Sequence, residues 1–469
     1  MNGLFVRNID AMYSKIAYRI KLNSGVSEDI SSNLGLKQGC PLSPMLFNMY
    51  IDDVNEIFDE SCDPVDFQND PLSHFLYADD LILISQSHQG LQNCLNKVHE
   101  FASSKNLTIS INKSKCMVFN QTGKFEKWGF TVNGRILETV NSFSYLGFDV
   151  KCSGTVKHAM NILNDKAKKA LIPLMNAIVR FKIPAKTSIR LFHTYISPII
   201  LYNVENCMVL SDKKIQNFNT TSLYSDIATS KIDLVHRKIL KFVMGVSKSC
   251  PNIAVYGDTG ETPLSYKGYR LTVNFWHRVT NLPDTTLVKK AMLENIGLRT
   301  NWIMTVEKLI NHFKLSDTLG SHNLLKNVIK NKIDSNYCEA WSNDLLTLET
   351  TRMDFYRKLK TNFEFEDYLR LEDFEKRKTI AKLRCSNHSL EIEKGRHQRP
   401  KIERIERICR QCNEGAIETE EHFLLECRKY DSLREKHDLK TLNCIKQFMH
   451  ETPKDALGEY LIDAFSARE

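Results

Sequence analysis

No run of eighteen apolar residues occurs in this 469-residue chain, and no basic segment followed by a short apolar run opens it. Neither a membrane-spanning helix nor a secretory signal is therefore predicted, and a soluble chain of the nucleus or cytoplasm is the expectation. The 13 cysteines are an odd count, thinly scattered except near the C-terminus. That excludes the dense disulfide framework of a small secreted domain and leaves free thiols and one metal site. Internal repeats and long low-complexity tracts are absent too, which excludes solenoids and arrays.

What is present is enough apolar residue, 42% of the chain, to bury more than one core, and two to four domains are expected. Charge is unevenly placed. Residues 1–152 hold 13 Lys+Arg against 17 Asp+Glu, a net of −4, whereas residues 153–250 hold 15 against 5, a net of +10. An acidic block that needs metal, followed by a basic block, suits a protein that grips nucleic acid and works on it; a lysine-rich solvated helical face gives the same count.

The chain is organised around Phe75-Leu76-Tyr77-Ala78-Asp79-Asp80-Leu81-Ile82-Leu83. Two short apolar runs meet at adjacent carboxylates, which predicts a β-hairpin with Asp79 and Asp80 near its tip. Adjacent carboxylates repel, so a site holding both ionised has use for a cation, and all-oxygen ligands point to Mg²⁺. Two such ions about 4 Å apart can clamp the attacking and leaving oxygens of an in-line displacement at phosphorus. The plainer alternative is a polar turn between two core strands.

Around that hairpin the chain carries, in order, Gly35-Leu36-Lys37-Gln38-Gly39-Cys40-Pro41-Leu42-Ser43-Pro44, then Tyr77-Ala78-Asp79-Asp80, then Leu107-Thr108-Ile109-Ser110-Ile111-Asn112-Lys113-Ser114-Lys115, then Phe143-Ser144-Tyr145-Leu146-Gly147. The series resembles the palm motifs of reverse transcriptases from non-LTR (LINE-type) retrotransposons. The resemblance is strong over residues 1 to 150 and weaker beyond. It implies RNA-directed DNA synthesis, with Asp79 and Asp80 as catalytic Mg²⁺ ligands and an RNA template and DNA primer as partners. It assigns Gln38 and Gly39 to substrate, although Gly39 also suits a simple turn leading into a helix. Pro41 is predicted in the first turn of that helix, which should run to Phe58. Leu107, Ile109 and Ile111 alternate as a strand delivering Lys113 and Lys115, either of which the resemblance would place near the triphosphate; a solvated strand end is the alternative.

From Val156 the apolar period becomes helical, with Pro173 expected to kink the first helix and a second starting near Pro184, broken at Pro198. These resemble the family's thumb, and Lys166, Lys168, Lys169, Lys182, Lys186 and Arg190 are the residues proposed to meet phosphate. A further amphipathic helix covers Asp233 to Val243. Ser249 to Gly268 reads as a Pro/Gly connector and domain boundary. Tyr256, Tyr266, Tyr269, Phe275 and Trp276 are expected in a core rather than stacked on bases. Residues 280–400 read as charged helices without a catalytic constellation, with Arg384 counted among basic residues leading to the last motif.

That motif is Cys409-x2-Cys412-x9-His422-x4-Cys427, three thiolates and an imidazole at spacing suited to tetrahedral Zn²⁺. Thr419-Glu420-Glu421 makes a helix start presenting His422, with Cys427 later on the same helix. Arg404, Arg407, Arg410, Arg428 and Lys429 surround it, consistent with nucleic-acid contact or with a purely structural zinc. It resembles the C-terminal zinc knuckle of LINE-type reading frames.

The family's third metal-binding carboxylate, from an upstream Phe-Asp-like stretch, is not found before Gly35, and Asp10 is no substitute. The reading is thus an α+β chain with a partial polymerase palm (antiparallel sheet plus helices) over 1–152, a basic helical thumb over 153–250, a helical connector over 251–400 and a CCHC zinc knuckle with C-terminal helices over 401–469. It is expected to be an N-terminally truncated reverse transcriptase, inactive alone with Mg²⁺ weakly held; the rival is a nucleic-acid-binding remnant gripping primer–template or RNA through thumb and knuckle.

Overall fold

A computed structural model describes residues 3–14, 16–32, 35–68, 70–120, 126–210, 231–316, 325–347 and 350–468. The architecture is α+β and rich in helix, and the chain divides into two compact units, Met1–Phe143 with Lys151–Gly154 and Ser144–Val150 with Thr155–Glu469.

In the first unit, a helix over Gly3–Tyr13 buries no residue. It leads to two nested antiparallel pairs, Ile16–Tyr18 with Ile30–Ser32 and Lys21–Leu22 with Gly25–Val26. The next helix spans only Ser43–Ile51 before tightening to a 3-10 turn over Asp52–Ile57. Pro41 lies ahead of that helix and Pro44 occupies its first turn, where a missing N–H goes unmissed.

The best-packed part of the unit is the helix His88–Ser104 against a small sheet. Ser87 caps the helix by accepting from the Gly90 N–H at 3.1 Å. A Cβ on Gly90 would stand 2.7 Å from the Cys62 carbonyl oxygen, so glycine is what lets the helix approach the Glu60–Cys62 turn. Leu91 and Leu95 cover a core of Cys116, Phe130, Val132 and Leu137. The sheet pairs Phe130–Val132 with Arg135–Thr139 antiparallel, and Lys115–Cys116 adds parallel to the latter. The strand predicted over Leu107–Ile111 does not form. Ile109 and Ile111 instead pack on the same core from irregular chain that turns at Ser110, whose carbonyl accepts from the Lys113 N–H at 3.1 Å. Alternating apolar residues reported burial there, not pairing.

The second unit is helical; its main apolar core runs from Ala167 and Leu171 through Phe192, Leu240, Tyr256 and Trp341 to Phe423, Tyr460 and Ala464, and a smaller cluster gathers Val279, Met292 and Ile303. The helix Val156–Arg180 runs unbroken across Pro173, which sits exposed on it. Helices follow over Ala185–Tyr195 and Ser197–Ile200, with Pro198 in the first turn of the latter. The amphipathic helix spans Lys231–Met244. The stretch read as a connector is helical instead. Asn252–Thr259 is buried almost throughout and Leu264–Thr280 follows it. Gly257 and Gly268 lie inside these helices, while Gly260 ends one at φ +62° and Pro263 leads the next. Tyr256, Tyr266 and Tyr269 are buried in the core, so they do not offer stacking surfaces.

At the centre of this unit Asp258 is fully buried. It accepts from Tyr356 Oη at 2.9 Å, Tyr368 Oη at 2.8 Å and Arg384 Nε at 3.1 Å. Arg384 also reaches Glu366 at 3.1 Å, and Lys360 pairs with Glu366. Arg384 is therefore a buried tie between helices and not part of a basic approach to the C-terminal motif.

Candidate functional site

The acidic hairpin forms as its apolar flanks require. His74–Tyr77 and Asp80–Leu83 pair antiparallel in register Tyr77↔Asp80 and Leu76↔Leu81, leaving Ala78 and Asp79 as a two-residue turn. Ala78 holds φ +53°, a left-handed backbone that favours glycine, so the turn stores on the order of 1 kcal/mol of strain beside the carboxylates. Asp79 and Asp80 are both exposed at the tip. Their donor set is all oxygen and open to solvent, which suits Mg²⁺. The described residues contain two groups of three or more His, Cys, Asp or Glu side chains whose ligand atoms lie within 4.8 Å of one another: Cys409, Cys412, His422 and Cys427, and His193, His236 and Glu261. Neither includes Asp79 or Asp80, so no third carboxylate joins the pair among the described residues.

Ahead of the hairpin, Lys37 to Cys40 forms a turn closed by the Cys40 N–H to the Lys37 carbonyl at 3.2 Å. Gly39 takes its third position at φ +79°, as a type II turn demands. Ser43 braces the loop, donating to the Lys37 carbonyl at 2.7 Å and sharing a hydrogen bond with Tyr13 at 2.9 Å. Gln38 and Gly39 are exposed, with open space where a Gly39 Cβ would stand. Of the two lysines, Lys115 pairs with Glu138 at 2.6 Å while Lys113 is exposed in a turn. Phe143 to Gly147 lies in a hairpin whose turn residues Leu146 and Gly147 both have positive φ. Tyr202 fixes that turn by donating to the Leu146 carbonyl.

On the basic helices, Lys166, Lys168, Lys169, Lys182, Lys186 and Arg190 are all exposed. Lys166 and Lys169, three apart, share one helical face, as do Lys186 and Arg190, four apart. The partners nearby are weak: Lys168 meets Asp165 at 2.8 Å and Lys166 meets Asp149 at 3.8 Å, surface pairs worth at most about 1 kcal/mol and readily exchanged for phosphate.

The C-terminal motif converges. Cys409 Sγ lies 3.9 Å from Cys427 Sγ, and Cys412 Sγ lies 3.4 Å from His422 Nε2. Cys409, His422 and Cys427 are buried. Thr419 Oγ1 accepts from the His422 N–H at 3.0 Å, and Glu426 meets His422 Nδ1 at 3.3 Å, fixing the ring from its far side. Cys427 is not on the helix but just past it. In an α-helix five residues leave a side chain about 140° around the axis; the His422–Glu426 segment widens to a π turn closed by Cys427 N–H to His422 O at 2.8 Å, and this returns Cys427 to the ligand side. Burial pushes the Cys427 thiol up to about 12 and raises Cys409 as well, so both carry protons until a metal displaces them. The three sulfurs and one imidazole fit Zn²⁺. Among the surrounding basic residues Arg407 is buried, donating to the Ile392 carbonyl at 2.8 Å, so it braces the fold rather than facing solvent; Arg410 and Arg428 are exposed.

Sequence reasoning missed the His193, His236 and Glu261 group, whose members lie on separate elements with no local spacing to mark them.

The family model for reverse transcriptase (RNA-dependent DNA polymerase) matches residues 3–150. The chain is 29% identical over 131 residues to a retrovirus-related Pol polyprotein from type-1 retrotransposable element R2 of Popillia japonica, covering 26% of this chain and 22% of that protein. It is 26% identical over 149 residues to the corresponding polyprotein of Nasonia vitripennis, covering 30% and 14%. Against the polyprotein from type-2 retrotransposable element R2DM of Drosophila melanogaster it is 29% identical over 141 residues, covering 28% and 13%. The chain thus spans about a fifth or less of the length of the curated relatives it matches. No helix among the described residues is long and apolar enough to cross a membrane. Over its first third, this chain carries a reverse transcriptase domain of the non-LTR retrotransposon kind.

Proposed function

We propose that this chain serves RNA-templated DNA synthesis by a non-LTR element, with Asp79 and Asp80 holding Mg²⁺ in the first unit and the basic helices of the second gripping primer–template. The observation that carries the reading is the exposed hairpin tip with two adjacent carboxylates. When bound there, Mg²⁺ supplies positive charge for the attacking hydroxyl and the triphosphate. The chain's own residues do the rest. Gln38 and Gly39 offer an open, braced turn to base and nucleotide, and Lys113, unlike the paired Lys115, presents its ammonium to solvent for a phosphate. Lys166, Lys168, Lys169, Lys182, Lys186 and Arg190 bind the backbone without reading sequence. Cys409, Cys412, His422 and Cys427 hold a Zn²⁺ that ties the C-terminal segment to the helical core. We assign palm to 1–152, thumb to 153–250, connector to 251–400 and knuckle region to 401–469.

With two carboxylates converging, the 469-residue chain by itself binds primer–template and does not extend it, so binding alone is the second reading. The test pairs a Mg²⁺-dependent primer-extension assay on wild type and Asp79→Ala with salt-dependent binding of an RNA–DNA hybrid. Tight binding at low salt without extension is the expected result. Asp79-dependent synthesis would overturn the claim of inactivity, and failure to bind the hybrid at low salt would overturn the whole reading.

A further inference from the structure

Away from the acidic hairpin and the cysteine cluster, three elements of the second unit bring two imidazoles and a carboxylate together. His193 comes from the helix Ala185–Tyr195, His236 from Lys231–Met244, and Glu261 from the connector between Asn252–Thr259 and Leu264–Thr280. We propose that His193, His236 and Glu261 hold a divalent transition-metal ion of the zinc class, with a remaining coordination position open to solvent.

His236 is the sharpest pointer. It is fully buried, and neither ring nitrogen has a hydrogen-bond partner among the described residues, an arrangement that costs roughly 1–3 kcal/mol per unsatisfied group. Its Nε2 stands 3.8 Å from Glu261 Oε2, beyond hydrogen-bond reach, while His193 Nε2 is 2.8 Å from the same oxygen. Ligands about 2.0–2.1 Å from a tetrahedral zinc stand about 3.3–3.5 Å apart, so the observed separations bracket that spacing and small side-chain movements reach it. A metal would take the lone pair that the buried ring now leaves unused.

The surroundings are built to hold these groups. The His236 ring is stacked on Phe192 at 5.2 Å and 8°, and lies 5.4 Å from the His193 ring. Glu261 follows Gly260, whose left-handed φ of +62° and close approach to Phe365 N, 2.7 Å from where a Cβ would stand, admit no side chain. Pro263 then fixes the exit from the loop. His193 and Glu261 are 30% and 25% exposed, which leaves a water or small ligand access to the ion.

The chemistry selects the metal class. Two imidazoles and the Glu261 carboxylate supply one oxygen-donor side chain and one negative charge, so a hard cation such as Mg²⁺ or Ca²⁺, which needs several oxygens, is disfavoured. Two imidazoles and one carboxylate with an open position suit Zn²⁺ or Co²⁺. Such an ion would clamp three elements of the basic helical region.

The test uses the full chain with the cysteine cluster removed by Cys409→Ser and Cys412→Ser, titrated with Co²⁺ alone. The expected result is one equivalent bound, with d–d absorption but no thiolate-to-cobalt charge-transfer band. Adding His193→Ala or Glu261→Gln, both at partly exposed positions and checked by circular dichroism for retained helix, should abolish that equivalent. No bound cobalt in the Cys409→Ser, Cys412→Ser chain, or an equivalent that survives both further variants, would overturn the proposal.

Discussion

At the scale of single residues, charge in this chain divides into groups that hold the fold and groups that face solvent. Asp258 belongs to the first kind. Burial alone would raise its carboxyl, but the charges of Arg384 and Lys360, with hydrogen bonds from Arg384 and Tyr368, hold it below the usual carboxylate range. Removing the carboxylate leaves the buried Arg384 guanidinium to Glu366 and takes the acceptor from Tyr368, so Asp258→Ala should lower unfolding free energy by about 3–5 kcal/mol in urea melts, whereas exposed Asp367→Ala should change it by no more than about 0.5 kcal/mol. The sign with pH follows from the depressed value. The stabilisation from Asp258 is present above the unfolded carboxylate value of about 3.9 and is lost as pH falls below it, so wild type should lose stability on acidification more steeply than Asp258→Asn. Gly39 is a residue of another kind, needed for φ +79°; Gly39→Ala should strain the Lys37–Cys40 turn by about 1 kcal/mol, seen as faster amide exchange at Cys40.

At the scale of elements, the helix Val156–Arg180 and the cysteine cluster make the firmest commitments. The helix buries Leu163, Ala167, Leu171 and Ile178 and turns Lys166, Lys168 and Lys169 outward. Each lysine that neutralises a phosphate contributes about 0.9 to the slope of log binding constant against log salt. Replacing all three with alanine should therefore reduce that slope by up to about 2.7 while helicity is unchanged. For the C-terminal element, Cys427→Ser should cost one equivalent of zinc and open residues 409–430 to limited proteolysis, because it removes one of the four ligand atoms that converge there.

At the scale of the whole molecule, the two units differ in how much they bury. Among the described residues, the first gathers a buried apolar cluster of four residues and exposes Leu4, Phe5, Val6, Met45 and Met49, while the main core of the second runs from residue 167 to residue 464. Hydrogen exchange should accordingly show amides of Phe130–Thr139 opening at lower free energy than those of Ile239–Tyr256, and thermal unfolding followed by two probes should not coincide.

Sequence alone determined which residues gather at the local candidate sites. Paired acids between apolar runs form an exposed hairpin tip, and Cys-x2-Cys converges with a following His and Cys, because each set lies within one short stretch of chain. Period did not settle what depends on distant partners. Ile109 and Ile111 alternate yet form no strand, since among the described residues no strand pairs with them and the core takes only their side chains. Glycine and proline after Ser249 marked helix caps inside a core rather than a boundary, and Arg384 and Arg407 spent their charge on buried partners instead of on a basic surface. Tertiary structure alone brought His193, His236 and Glu261 together, because convergence of side chains from three separate elements is a property of helix packing that no local spacing records.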